Sequence, residues 1–159
     1  MQSRLAILLM TLLLALSPAL YAAGKKSDKA RVTFHLETEG TDNPKMIFPQ
    51  MTNGQTRYFR RIPELSLKDI ATFAPFASQT GDAGIVFKLK QRGANRLAAI
   101  SNANQGRWLL AQLNGRTVDA VLIDQPINDG TLVVWKGVTP ADIASLDKSL
   151  PRAGQEKKD

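Results

Sequence analysis

Gly84-Ile85-Val86-Phe87-Lys88-Leu89-Lys90 opens the stretch that decides the fold, and Thr139-Pro140-Ala141-Asp142, leading to Leu150, closes it. Between them the chain reads helix, hairpin and turn, with a punctuating residue at nearly every joint. Ile85, Phe87 and Leu89 alternate with Val86 and Lys88, the period of a strand. Gln91 to about Asn104 then carries Ala94, Leu97, Ala98 and Ser101 as a stripe of small residues on one helical face. Gly106 is placed to take the left-handed conformation that ends such a helix. Arg107–Leu113 and Arg116–Ile123 flank Asn114-Gly115, the pair that favours a type I′ hairpin turn. On strict alternation Leu109, Ala111, Leu113, Val118, Ala120 and Leu122 share one face. Asp129-Gly130 turns the chain into a strand from Thr131 to Trp135. Thr139 as cap, Pro140 at the first helical position and Asp142 behind them start a last helix with Ile143, Leu146 and Leu150 inward.

Outward from that stretch the pattern is looser. Arg31 to Thr38 alternates, with Val32, Phe34 and Leu36 on one side and Thr33, His35 and Glu37 on the other, a half-buried strand. Lys45–Met51 and Gln55–Ile62 flank Asn53-Gly54, a second hairpin signal. Ser66-Leu67-Lys68-Asp69 has the form of a capping box and predicts a short helix to about Phe73. Gln79 to Gly84 is a polar loop. The pattern as a whole predicts a single α+β domain over residues 31–150, with helices on one face of a mainly antiparallel sheet.

The N-terminus predicts export. Arg4 precedes an apolar run from Leu5 to Leu16, Pro18 breaks it, and Ala22-Ala23 offers a cleavage point, so residues 1–23 read as a signal peptide. The run is short for a bilayer span of about 20 residues. A periplasmic or extracellular place follows. The chain has no cysteine, which excludes disulfides, thiolate nucleophiles, thiolate metal sites and a lipidated cysteine. An exported chain of about 135 residues without staples has to rely on an apolar core.

Net charge is +7, yet Arg31–Leu150 holds 14 basic against 11 acidic residues. Much of the excess lies in a basic tail, residues 24–30, and in a C-terminal tail, residues 151–159, expected to be disordered. That distribution argues against a nucleic-acid partner, which calls for a basic stripe on the fold itself. It leaves weak attraction to anionic lipid or polymer of the envelope.

No residue set makes an active site. His35, the single histidine, falls on the polar side of its strand as an exposed spectator. Asp119 and Asp124 are five apart and point to opposite faces. Asp124–Gly130 holds calcium-type donors, but Pro126 and Ile127 interrupt their alternation. Ser66 is explained by capping, and Gly81–Gly84 precedes a strand, where no phosphate cradle forms. No catalytic residue, metal or cofactor is therefore expected. Binding features are Arg57, Tyr58, Phe59, Arg60 and Arg61 on one strand, and Trp108 and Trp135 as aromatics on the far face of the hairpin, with core packing expected for at least one of the two. The first strand fits either an edge that adds an extended peptide or an edge blunted by charge.

One resemblance runs through these residues. The ordered series Ile85-Val86-Phe87-Lys88-Leu89, Gly93-Ala94, Leu97-Ala98, Ser101-Asn102-Ala103-Asn104-Gln105-Gly106-Arg107 and Leu113-Asn114-Gly115-Arg116 resembles the head subdomain of the first periplasmic domain of SecD, the protein-export membrane protein. Pro126-Ile127-Asn128-Asp129-Gly130 and Val138-Thr139-Pro140 continue it. Ile62-Pro63-Glu64-Leu65-Ser66-Leu67-Lys68-Asp69-Ile70 is similar to the segment leading in, so the likeness covers about residues 62–150. The resemblance implies that fold, without enzymatic activity, and a tendency to contact a protein partner or a translocated, unfolded polypeptide, with export machinery among the partners. Two departures qualify it. The proline usual in the second hairpin strand is replaced around Val121, and residues 31–62 have no counterpart that aligns. Membrane helices like those of SecD are not expected in this chain, and the chain alone is not expected to couple to a proton gradient. Two other functions stay open on the residues: association with an anionic envelope surface through the tails and Arg57, Arg60 and Arg61, and a hydrolase built on two converging carboxylates.

Overall fold

The computed structural model describes residues 29–79 and 81–155. The expected signal peptide, residues 1–23, and residues 24–28 of the tail lie outside the described residues, as do 156–159.

The strands are β1 (Val32–Thr38), β2 (Ile47–Thr52), β3 (Gln55–Arg60), β4 (Leu65–Ser66), β5 (Ile70–Ala77), β6 (Ala83–Leu89), β7 (Trp108–Leu113), β8 (Arg116–Leu122) and β9 (Thr131–Val138). The helices are α1 (Gln91–Ala103) and α2 (Pro140–Asp147). All strand pairings are antiparallel, so the α+β class holds, but the strands divide between two sheets that the sequence pattern does not separate. One runs β2-β3-β1-β7-β8 with β4 also on β1; the other runs β5-β6-β9. Their apolar faces meet in one core. Phe34 of β1 stands edge-on to Phe87 of β6 at 5.9 Å between centroids, and Leu97 of α1 and Leu146 of α2 join the same cluster.

Both Asn-Gly turns form as read, with positive φ at Asn53 (49°), Gly54 (75°), Asn114 (53°) and Gly115 (82°), as a type I′ turn requires. At α2 the Asp142 carboxylate accepts from the Thr139 backbone N–H (3.0 Å) and hydroxyl (2.7 Å). It also accepts from Asn114 Nδ2 (3.0 Å) and Arg116 Nη2 (2.6 Å), so the same aspartate ties the helix to the β7–β8 turn. Its pKa sits below the ordinary value: burial pushes it up, and the hydrogen bonds from Thr139 and Asn114 and the Arg116 charge outweigh that.

Four expectations are corrected. The helix from Ser66 lasts only one 3₁₀ turn, Leu67–Asp69, and Ile70–Ala77 is a strand. The Asp69 carboxylate does accept from the Ser66 N–H at 2.9 Å, but the β-rich Ile70-Ala71-Thr72-Phe73 pairs with β6 instead of extending the helix. On β8 an extra residue at Val118 shifts the register between Ala111 and Gln112. Ala120 then opposes Leu110 and Leu122 opposes Trp108, on the face away from the core, and Leu122 is 42% exposed. Part of the C-terminal tail is ordered against β5: the Phe73 N–H donates to Pro151 O (3.3 Å), the Ala153 N–H donates to Phe73 O (2.9 Å), and Arg152 grips Asp147 with two bonds of 2.6 and 2.7 Å.

The fourth concerns His35, which is buried, with 6% of its surface exposed. The β2–β3 hairpin covers the second face of β1 and β7: Phe48 meets the imidazole edge-on at 5.4 Å, and Thr117 donates to Gln50 at 3.2 Å. Arg60 O can only accept, so the Nδ1 2.8 Å away carries the proton, and Nε2 accepts from the Thr33 hydroxyl at 3.0 Å.

Candidate functional site

The fold divides the residues of the expected Arg57–Arg61 site between different surroundings. β3 lies between β2 and β1, and pairs with β1 only through Tyr58 and Phe59. Phe59 is fully buried, and Tyr58 lies over Gly40, whose added Cβ would fall 2.7 Å from the ring. Arg57 donates to Glu37 Oε1 at 2.7 Å and sits over the Trp108 ring at 5.2 Å. Glu37 Oε2 takes the Trp108 backbone N–H at 2.9 Å, so Glu37, Arg57 and Trp108 form one structural cluster and Trp108 is no free anchor. Arg60 pairs with Glu64 at 3.2 Å; Arg61 is exposed.

Trp135 is the aromatic that stays available, at 60% exposed. It belongs to the three-stranded sheet rather than to the hairpin, and meets Phe76 edge-on at 6.0 Å. Phe76 is folded over Gly84, where an added Cβ would come within 2.2 Å of its ring, so the absence of a side chain there seats the pair.

Trp135 also stands at one side of a cleft of about 580 Å³ between two strand edges. β8 ends its sheet, β9 ends the other, and neither outer edge has a strand partner. The two edges are pinned together at one end. An added Cβ on Gly137 (φ 79°) would lie 2.4 Å from Val118 O, and the Asp119 carboxylate takes the Trp135 N–H at 2.8 Å. Further along, Val121 and Leu122 face Thr131 and Val133 across the opening, and the 124–129 loop floors it.

The ladder fixes which backbone groups face the cleft. The Leu89 N–H bonds to Gly130 O (2.9 Å) with Lys88 opposite Thr131, so even-numbered residues of β9 bond inward and Thr131, Val133 and Trp135 turn their N–H groups outward. The Asp129 carboxylate takes the first of these at 3.0 Å and Asp119 takes the third. Val133 between them faces open cleft. Asp129 is held below its ordinary pKa chiefly by that Thr131 N–H, while Lys88 Nζ donates to the Asp129 carbonyl (2.5 Å) and to Thr131 Oγ1 (3.2 Å). Asp124 and Asp129 line the cleft, and no Lys or Arg does. Sequence reasoning singled out neither Leu122 nor Val133. A period-2 reading places Leu122 in the core, and an edge becomes visible only once the sheet order is known.

Among the described residues no group of three or more His, Asp or Glu is placed to hold a metal ion, and no helix is long and apolar enough to cross a membrane.

The architecture defines the class: an α+β module whose two antiparallel sheets share one core. No protein-family model and no curated protein matches the chain. Among solved structures it is similar to a SecDF chain described as "Structure and function of a membrane component SecDF that enhances protein export", with 20% identity and a TM-score of 0.55. That match covers 79% of this chain and 64% of that one. A second, "Crystal structure of SecDF in Super-membrane-facing form", matches with the same identity and TM-score over 78% of this chain and 19% of that one. The fold is thus SecD-like. Residues 62–150 are little more than half the chain, so the likeness extends beyond them.

Proposed function

We propose that this protein is a non-enzymatic, exported binding module of the SecD head type, which contacts unfolded polypeptide or a protein partner in the cell envelope. One observation carries the reading: the β9 edge turns unpaired main chain at Val133 toward a cleft flanked by the exposed side chains of Trp135 and Leu122. An extended segment laid there gains main-chain hydrogen bonds irrespective of its sequence, and the apolar flank takes alternate side chains. The SecD-like fold and the apolar N-terminal run agree with that setting.

Asp124 and Asp129 do line one cleft, the arrangement a carboxylate hydrolase needs. A general acid needs a raised pKa, however, and the Thr131 N–H lowers that of Asp129. A second reading has its own observation. Lys68, Lys90, Arg92 and Arg96 surround a cleft of about 220 Å³ whose single carboxylate, Asp69, is engaged at Ser66. That cluster, rather than Arg57 and Arg60, is the surface suited to anionic lipid or polymer.

The test is binding of a permanently unfolded protein, reduced and carboxymethylated α-lactalbumin, followed by amide NMR. Saturable binding with shifts on β8 and β9, and none with the native form, is expected. Shifts confined to the Lys68–Arg96 cluster and abolished by 0.5 M salt would transfer the function to surface association.

A further inference from the structure

From the charge and hydrogen bonding of the cleft between β8 and β9 we infer that its occupant is a cationic extended segment, with Lys or Arg two residues to either side of an apolar residue. The inference rests on the polypeptide-binding reading above. Residues 31–150 carry 14 Lys and Arg against 11 Asp and Glu, yet the lining of this cleft holds two aspartates and no cation. The polarity of the site is therefore opposite to that of the molecule around it. Asp119 adds a third carboxylate at the pinned end, 2.8 Å from the Trp135 N–H.

The hydrogen bonds set the register. Asp129 and Asp119 occupy the outward N–H groups of Thr131 and Trp135, which leaves Val133 as the pairing position. A strand added antiparallel there places one residue opposite Val133, where its two main-chain bonds form. The residues two places away on either side lie opposite the capped Thr131 and Trp135, beside Asp129 and Asp119, and point to the same face as Trp135. Basic side chains at those two positions reach the carboxylates, and a cationic head also finds the exposed face of Trp135. Acidic residues there meet like charge at both ends. Lys88 on β6 lies beside the cleft, but its ammonium is turned to the Asp129 carbonyl and the Thr131 hydroxyl on the strand itself. The caps that keep copies of the chain from pairing edge to edge thus also select the charge of what does pair.

The experiment uses three capped seven-residue peptides of one apolar pattern, carrying Lys, Thr or Glu at the alternate positions, titrated against the protein with the Val133 amide as reporter. The Lys peptide is expected to bind and shift that resonance. N-methylation of its central amides should abolish binding, and Asp124→Asn should weaken it about threefold, the scale of one exposed charge pair. Asp124 is exposed and makes no structural bond described above, so this variant retains the fold. Equal binding of the Lys, Thr and Glu peptides at Val133 would overturn the charge selection and leave polypeptide binding standing. Binding of the Lys peptide that survives N-methylation, or that shifts resonances elsewhere, would overturn strand addition at this edge. Failure of all three peptides together with carboxymethylated α-lactalbumin would overturn the polypeptide reading itself.

Discussion

His35 has the only side chain of this protein that changes charge near neutral pH unless its surroundings shift another group there. Its Nδ1–H is committed to Arg60 O, and the wall of Phe48 and the β2–β3 hairpin removes water from the ring. Burial holds its pKa below the ordinary 6.5, the Arg60 hydrogen bond and the Glu64 charge opposing this only in part. The imidazole folds neutral, whereas in the unfolded chain it takes a proton at about 6.5. Its contribution to stability is therefore complete above that pH and is lost as pH falls from 6.5 through the lower folded value. Urea midpoints at pH 7 and pH 5 measure it. The wild type should lose stability on acidification, and His35→Gln should be less stable at pH 7 with a flatter decline. An unchanged acid slope in the variant would assign the loss to other groups. Alternation along β1 places this side chain on the polar face correctly; only the hairpin folded across that face makes it interior. No pattern local to residues 31–38 carries that information.

At the scale of elements, legibility follows how local the determining chemistry is. The Asn53-Gly54 and Asn114-Gly115 turns and the Thr139–Asp142 cap are decided within four residues, and they form as read. The segment Ile70–Ala77 is decided elsewhere. Its Ser66–Asp69 box starts a helical turn, but pairing with β6 on one side and with Pro151–Ala153 on the other makes it a strand. The cleft is still less local, because it depends on the extra residue at Val118 meeting Gly137. Gly137 has a left-handed φ of 79° and leaves no room for a Cβ, with Val118 O at 2.4 Å, so alanine there carries both backbone strain and a clash. Gly137→Ala should lower stability by about 2 kcal/mol. It should also move the β8 edge away from β9, seen as loss of protection from exchange at the Trp135 amide that Asp119 now covers. A variant of wild-type stability that keeps this amide protected would show that the contact does not set the spacing of the two edges.

For the molecule as a whole, the question is whether two sheets behave as one folding unit. Their faces share a single cluster in which Val32, Phe34, Leu36, Leu109 and Leu113 of one sheet pack with Phe73, Ile85, Phe87, Leu132 and Val134 of the other. Neither sheet has a second apolar layer to bury that face, so separating them exposes the core of both. The two tryptophans test this without added probes, since Trp108 lies on β7 in the first sheet and Trp135 on β9 in the second. Trp108→Phe and Trp135→Phe each leave one fluorescent reporter, and urea unfolding should give matching midpoints and m-values for fluorescence and far-UV circular dichroism within each variant. Trp135 is exposed, so its replacement should shift the midpoint little; Trp108, covered by Arg57, should cost about 1 kcal/mol more, the scale of a half-buried aromatic with a cation–π partner. A fluorescence midpoint in the Trp108→Phe variant well below that of circular dichroism would mean that the β5-β6-β9 sheet opens first. The β9 edge would then be a locally unfolding element rather than a preformed one, and its main chain would become available to a polypeptide through that opening.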